Sequence, residues 1–193
     1  MACLAVMVLM VLIAGALTPE YNHATQFISE LGARGAPQEW GVRLLGFLPA
    51  GLLLLAFCSL AYSALPRSRT TALGLLGLAL FAAGYVIAAA FPCDLGCRPV
   101  NPSTSQQIHN AGGLIGYLVA PAFLFALANA ARAWPSAGRL VVAGYFAAGL
   151  AFIGLLTLSP SSPIVGLSQR LLELAVLIWA AMCGKYLAAQ GSR

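Results

Sequence analysis

The sequence is short of charge. Lys, Arg, Asp and Glu together make up 8% of the 193 residues, whereas a soluble domain carries roughly a quarter charged residues. Because so few charges cannot cover a surface that faces water, most of the surface is expected to face lipid. Apolar residues account for 61% of the chain, and runs of about 20 of them are long enough to cross a hydrocarbon core about 30 Å thick. The sequence therefore predicts a polytopic membrane protein.

Motifs that bind nucleic acids or phosphates are missing as well. The net charge of +5 comes from scattered basic residues, and no basic patch alternates with aromatic residues. There is no glycine-rich phosphate loop, no CxxC pair and no period-two pattern of barrel strands. We therefore exclude nucleic acid as a partner and expect helices, which satisfy their own backbone polar groups in lipid.

Six apolar segments can be recognised, separated by turn signals. They fall at about 2–17, 41–64, 71–91, 108–130, 140–158 and 170–188. We predict six transmembrane helices in a single all-α domain over residues 1–193. Gly112 and Gly116 favour close helix packing, and Pro49 and Pro121 are expected to kink the second and fourth helices.

The first segment has a second interpretation. It is short for a span, and Ala14-Gly15-Ala16 resembles a signal-peptidase site. The basic start of a signal peptide is missing, so we expect a retained helix. Cleavage would instead leave five helices and an outer N-terminus.

Basic residues in the short loops indicate the orientation. One side of the bundle receives six of them, namely Arg67, Arg69, Arg132, Arg139, Lys185 and Arg193. The other side receives four, namely Arg34, Arg43, Arg98 and Arg170. Placing the larger set in the cytoplasm puts both termini inside. All five acidic residues and both histidines then fall on the outer side, which we expect to carry the function.

The longest polar interruption runs over 18–40 and contains three of the five acidic residues. Residues 22–31 fit one short helix that ends at a glycine. Apolar residues lie on one of its faces, and His23, Gln26 and Glu30 lie on another. We predict an interfacial or re-entrant helix in the first outer loop, with its polar face towards either a cavity or water.

Two cysteines flank the second outer loop in the sequence CDLGC. In an oxidising exterior Cys93 and Cys97 are predicted to form a structural disulfide around Asp94. A redox-active pair is the alternative, although quinone-coupled thiol enzymes usually carry CxxC. The other cysteines lie near the inner helix ends, where thiols stay reduced, and are Cys3, Cys58 and Cys183.

The sixth segment begins with two charges of opposite sign. Arg170 and Glu173 are three residues apart, so they share a helix face and could pair. Arg170 could instead hold the phosphate or carboxylate of a lipid, for which its planar fork is suited. Ionisable groups at membrane depth usually face the bundle interior or a water-filled cavity, so we take both residues as candidate ligand-binding residues.

Two catalytic arrangements are open. In the first, His23 and His109 join a carboxylate from Glu30, Asp94 or Glu173 to bind zinc, which would keep one position for water. In the second, Ser29 beside Glu30 is a nucleophile, with His109 as its base and Asp94 as the acid that orients the histidine.

The same residues carry a resemblance to a known family. The matching pieces are Asn22 with ISELGA at 28–33, Phe-Pro at 91–92 with Asp94, Ser105 with His-Asn at 109–110, and GLSQR at 166–170. In these pieces the chain resembles, over nearly its whole length, a bacterial family of six-helix membrane proteins described as domain of unknown function nine-nine-eight. The resemblance implies six helices in the bacterial cytoplasmic membrane and a clustered outer site, but no activity. We take Asn22 and His23 as further candidate ligand-binding residues.

Two further resemblances are more distant. The chain is similar to DRAM and Frag membrane proteins, some of which act in lipid-anchor remodelling. It is also similar to alkaline ceramidases, which use a Ser, an Asp and three His around zinc, whereas this sequence has two histidines.

Three functions remain open from the sequence. The first is a lipid-directed enzyme in which Glu30, Asp94 and His109 carry out acid–base or metal chemistry and Arg170 holds an anionic headgroup. The second is a protein that binds or transports a lipid or small solute at the same residues. The third is a structural partner in a membrane complex or homo-oligomer, with the outer loops as its docking surface.

Overall fold

The apolar segments become helices close to the predicted positions. The computed structural model of the chain describes residues 1–191. The helices are α1 (Ala2–Leu17), α2 (Glu39–Ala64), α3 (Arg69–Ala90), α4 (Thr104–Ala131), α5 (Gly138–Thr157) and α6 (Val165–Gly191). Residues 1–191 contain no strand. The all-α prediction is confirmed, and the five helices α2 to α6 are long and apolar enough to cross a membrane.

Helix α1 differs from the other five in length. Its 16 residues extend about 24 Å at a rise of 1.5 Å per residue, which is less than a hydrocarbon core of about 30 Å. Its first residues, Ala2 and Cys3, line a cavity together with Leu53 and Phe57 of α2 and Leu177 of α6. Those three residues lie in the middle of their helices, so α1 extends along only part of the bundle.

The outer surface of the bundle is apolar. Only 33–44% of the most apolar window of each long helix is buried inside the bundle, so the remaining residues face outwards. Large apolar side chains that are at least half exposed occur on all six helices, for example Leu12, Leu52, Leu73, Leu118, Phe146 and Leu167. Such a surface is suited to lipid and indicates a multi-pass membrane protein.

Glycines bring α3 and α4 into close contact. A Cβ at Gly116 would lie 3.0 Å from the Cα atom of Phe81, and one at Gly77 would lie 2.5 Å from Cβ of Phe123. Gly112 packs in the same way against Ile87. Lipid supplies no hydrophobic drive between helices, so this close approach supplies the packing instead.

Consecutive helices are neighbours, and α6 closes the bundle by contacting α1, α2 and α4. One end of the bundle, here called the polar end, carries the segments 18–38, 91–103 and 158–164. The opposite end carries the short connections 65–68 and 132–137. Four of the six basic residues assigned to the inner side, Arg67, Arg69, Arg132 and Arg139, lie in or next to these connections, and Lys185 lies near the end of α6. Arg193 lies outside the described residues.

One local prediction is corrected by the structure. The helix predicted over 22–31 is not formed, because Oδ1 of Asn22 accepts hydrogen bonds from the N–H groups of Ala24 and Thr25 and closes a turn. Only a 3-10 helix, Ile28–Gly32, follows. In α2, residues Val42–Phe47 are π-helical and the long α-helical part begins at Leu48, so Pro49 lies just after a change of helix type.

Gly166 contacts the segment 18–38, here called the first polar segment, and this contact generates a stability prediction. A Cβ at Gly166 would lie 2.4 Å from the carbonyl oxygen of Gln26 and 2.5 Å from that of His23. Since both are backbone atoms, we expect Gly166→Ala to lower the free energy of unfolding by about 1–3 kcal/mol. Gly149→Ala on α5 is the matched control, because no atom lies within 4 Å of its Cβ position. Equal thermal unfolding midpoints of the two variants in detergent would contradict this packing.

Candidate functional site

The first polar segment is fixed to the start of α6. The first N–H groups of a helix have no partner within the helix, and here the segment supplies one, because Leu167 N–H donates to the carbonyl of Ala24 at 3.2 Å. In the reverse direction, Ile28 N–H donates to Oε1 of Gln169 at 2.8 Å. The ISELG and GLSQR sequences, far apart in the chain, therefore form one unit.

Arg170 fastens the same two elements from another side. Its Nη1 donates to the carbonyls of Gln26 at 3.2 Å and Gly166 at 2.9 Å. Its Nη2 donates to the hydroxyl of Tyr21 at 2.6 Å and to Nδ1 of His23 at 3.0 Å. All four Nη hydrogens are used, and only Nε is buried without a partner. Arg170 is thus a clamp within the chain, and its fork is not free for a phosphate or carboxylate.

Glu30 stabilises the loop in which it lies. Its Oε1 accepts from the N–H of Phe27 at 2.9 Å, its Oε2 accepts from Nε2 of Gln26 at 2.9 Å, and Arg98 approaches Oε1 at 3.2 Å. The carboxylate therefore caps the start of the 3-10 helix. These three donors form hydrogen bonds with the Glu30 carboxylate, which the sequence predicted to act as a catalytic acid or base.

Arg98 joins the loops of the polar end. Besides the ion pair with Glu30, its Nη2 donates to the carbonyl of Thr25 at 2.9 Å and its Nη1 to that of Pro160 at 3.0 Å. Its guanidinium also lies over the ring of Phe27, with Cζ 5.0 Å from the ring centroid. One side chain thereby connects all three polar-end segments.

The CDLGC turn is tied to the start of α4. A disulfide joins Cys93 and Cys97, and the carboxylate of Asp94 accepts from both N–H and Oγ of Ser103, at 2.9 and 2.7 Å. These hydrogen bonds to the charged form lower the pKa of Asp94. Oε1 of Gln106 in turn accepts from the N–H of Asp94 at 2.8 Å. Asp94 therefore acts as a turn and helix-cap residue.

His109 has one ring nitrogen fixed and the other open. Its Nδ1 lies 2.9 Å from the carbonyl oxygen of Phe91, so Nδ1 carries the hydrogen and donates, and Nε2 is left as an acceptor. The half-buried side chain lines two adjoining cavities, and Ser29 lines the same two. The hydroxyl of Ser29 lies 3.4 Å from Sγ of Cys97.

Glu173 is the buried acid of the bundle, with 3% of the residue exposed. Tyr85 of α3 donates to its Oε2 at 2.9 Å, and Tyr117 of α4 donates to its Oε1 at 2.5 Å. Nε2 of Gln169 donates to Oε1 of Glu173 at 3.1 Å and to the hydroxyl of Tyr117 at 2.7 Å. Three side chains from three helices thus supply hydrogen bonds to one carboxylate.

A small cavity adjoins this carboxylate. It has a volume of about 40 Å³, and a buried water needs roughly 10–15 Å³ measured in this way, so it admits two or three waters. Its lining combines polar and aromatic side chains, namely Ser29, Phe47, Phe81, Tyr85, His109, Tyr117, Gln169 and Glu173. A wider groove of about 320 Å³ at the polar end shares Ser29, His109, Gly113, Tyr117 and Gln169 with it and adds Phe27, Asn110, Leu114, Leu158 and Pro160. The two spaces form one site that runs from the polar end to Glu173, here called the polar pocket.

A third space lies on the opposite side of Glu173, between α1 and α6. This groove has a volume of about 240 Å³, and its walls are almost entirely apolar. Met7, Val11 and Leu174 contribute to the walls, and His23 and Arg170 lie along it as well. Glu173 lines both this groove and the small cavity.

The predicted catalytic arrangements are not assembled. Asp94 bonds to Ser103 and His109 bonds to a backbone carbonyl, so Asp94 does not orient His109. His23 is held by Arg170 near α1, and within residues 1–191 no three His, Cys, Asp or Glu side chains are grouped as metal ligands. Within the described residues the structure therefore does not bring His23, His109 and Asp94 together as a set of metal ligands.

The predicted pairing of Arg170 with Glu173 is also absent, because other partners occupy each side chain. Four acceptors surround the guanidinium of Arg170, and three donors surround the carboxylate of Glu173. The two tyrosines, Tyr85 and Tyr117, were missed by sequence reasoning. Their hydroxyls within otherwise apolar segments were the available signal, since a hydroxyl at that depth needs a partner.

Comparison with known proteins identifies a family without an activity. The family model described as a protein of unknown function, DUF998, matches residues 1–185, a span that includes every residue of the polar pocket. No curated protein and no solved structure matches the chain.

His23 is expected to make the stability contributed by the Arg170 clamp depend on pH. Burial, and to a lesser extent the nearby Arg170, lower the pKa of His23 below its usual 6.5, so the folded protein holds a neutral ring that accepts from Arg170. A base whose pKa is lowered by folding loses stability as pH falls through its unfolded pKa. We expect the unfolding midpoint of the protein in detergent to decrease between about pH 7.5 and 5, and His23→Gln, which keeps an acceptor but cannot titrate, to reduce that decrease. An identical pH profile in both proteins would disprove the assignment.

Proposed function

The chain belongs to the DUF998 family, and because that description names no activity, we propose from the site alone that the protein binds an amphipathic molecule, a membrane lipid or a compound like it, in the polar pocket. The observation that carries the proposal is a buried carboxylate beside a cavity that continues into a groove at the polar end. Ionisable groups buried between membrane helices are costly and usually serve a function.

The lining of the pocket matches a molecule with two different ends. Nε2 of His109 and the amide of Asn110 offer polar contacts, while Phe27, Leu114 and Leu158 offer apolar ones. Since Leu114 is 54% exposed on the side of α4, an apolar chain in the groove has direct access to the surrounding lipid. A polar head then lies towards Glu173 and an apolar tail lies towards the bilayer.

The orientation in the membrane is part of the proposal. We place the polar end outside the cytoplasmic membrane and the connections 65–68 and 132–137 inside, because six of the ten basic residues in the sequence fall on the side of these connections when those near the helix ends are included, against four on the side of the polar end. Helix α1 then lies in the membrane as a sixth helix, both termini are cytoplasmic, and the 3-10 helix Ile28–Gly32 lies near the outer interface. The pocket thus opens outwards.

Hydrolysis of the bound molecule is a second candidate function. It is favoured by one observation, namely that His109 has an open Nε2 and lines the same two cavities as the hydroxyl of Ser29. A histidine with a fixed tautomer is suited to act as a general base.

Reporter fusions test the orientation. We expect alkaline phosphatase to be active when fused within 98–102 and inactive when fused within 132–137 or after the last residue, because this enzyme folds only outside the cytoplasm. A green fluorescent protein fusion should give the opposite pattern. Activity of phosphatase at 132–137 would reverse the orientation and place the pocket inside.

Native mass spectrometry tests the binding. The protein released from membranes in a mild detergent should retain an amphipathic molecule, and His109→Ala should weaken its binding by about tenfold, as expected for one lost hydrogen bond of roughly 1.4 kcal/mol. Gln107→Ala is the control, because Gln107 is exposed on the same helix and does not line the pocket. Equal retention by both variants would contradict the proposal, and a cleaved molecule that appears only with intact His109 would favour hydrolysis.

A further inference from the structure

Among the described residues, the lining of the small cavity contains the acidic side chain of Glu173 and no Lys or Arg side chain. The two ion pairs within residues 1–191 are Glu39–Arg43 and Glu30–Arg98, so Glu173 is not paired with a cation. Arg170 lies on the other side of Glu173, along the α1–α6 groove, and its Nη groups are committed to the chain.

Aromatic rings enclose the same cavity. Phe47, Phe81, Tyr85 and Tyr117 line it and pack against one another, with centroid separations of 6.2 Å for Phe47–Tyr85, 5.4 Å for Phe81–Tyr85 and 6.0 Å for Phe81–Tyr117. The face of an aromatic ring is electron-rich and attracts cations. A carboxylate surrounded by such rings is the chemistry that recognises an ammonium group.

We propose that the polar pocket selects amphipathic molecules with a protonated primary amine as the head, and that Glu173 is the counter-ion of that amine. This inference rests on the proposed binding function and specifies its ligand class. It differs from the sequence-based expectation of an anionic headgroup at Arg170. An anionic head would meet the carboxylate of Glu173 in a medium of low dielectric constant, where like charges repel strongly.

The size of the cavity restricts the amine further. A volume of about 40 Å³ admits two or three waters, and an –NH₃⁺ group displaces one of them, whereas a trimethylammonium group needs more space. A primary ammonium also has three N–H donors, and besides Glu173 the cavity offers Nε2 of His109 and Oγ of Ser29 as acceptors.

The test compares ligands that share one alkyl chain and differ in their head group. Long-chain alkyl compounds with the same chain and four different heads (primary amine, alcohol, phosphate and trimethylammonium) are added to the protein in nanodiscs of zwitterionic lipid, and their dissociation constants are measured by competition in native mass spectrometry. We expect the primary amine to bind at least about tenfold more tightly than each of the others, a difference of roughly 1.4 kcal/mol.

Substitutions test whether the carboxylate of Glu173 is responsible for the preference for the amine. Glu173→Gln should remove the preference for the amine while the alcohol still binds. Glu20→Gln is the matched control, because Glu20 is exposed and lies outside the pocket. If Glu173→Gln does not fold, the four-head series on the unmodified protein still decides the question.

The outcomes separate the two proposals. Tightest binding of the phosphate, or equal binding of all four heads, would overturn the amine assignment and leave the amphiphile-binding function in place. Failure of every head to bind would overturn both. Retention of the amine preference in folded Glu173→Gln would also overturn the role of Glu173.

Discussion

A carboxylate buried between lipid-facing helices must receive most of its hydrogen bonds from the chain, because lipid supplies none. Glu173 receives them from Tyr85, Tyr117 and Gln169, which lie on α3, α4 and α6. These contacts fix the relative positions of three helices at one depth. Through its other end Gln169 also accepts the N–H of Ile28, so the buried acid and the first polar segment are held by one side chain. The position of the first polar segment, which covers the polar pocket, therefore depends on the hydrogen bonds that Glu173 receives.

The loops of the polar end are arranged by the same requirement. Arg98 bonds to the first and third segments, and Gln106 holds the CDLGC turn against α4 through both its amide oxygen and its amide nitrogen. Glu30, Asp94 and Arg170 are each occupied within these loops. Most charged groups that looked functional in the sequence thus maintain the loop structure, and the open polar groups lie deeper, at His109 and beyond.

The sequence predicted the helices well because the lengths of apolar runs are a local property. All six predicted segments end within three residues of the end of a helix and begin within five residues of its start. The sequence also predicted that acids and histidines gather at one end. It could not predict which side chains form hydrogen bonds with each other, since residues such as Tyr85 and Glu173 are 88 residues apart. The i, i+3 spacing of Arg170 and Glu173 placed them on one face but gave no information about the competing acceptors at Gln26 and Gly166.

The two sides of Glu173 are chemically different, and this difference gives the pocket its direction. On the side of α1 the carboxylate shares an apolar groove with Arg170, whose positive charge offsets its own even though the two groups do not pair. On the side of α3 and α4 it faces tyrosine and phenylalanine rings without a cation. A positive ligand gains more from the second side, because nothing there competes for the carboxylate except neutral donors. That side is the one that continues to the polar end through His109, so the route from solvent and the preferred side for a cation coincide.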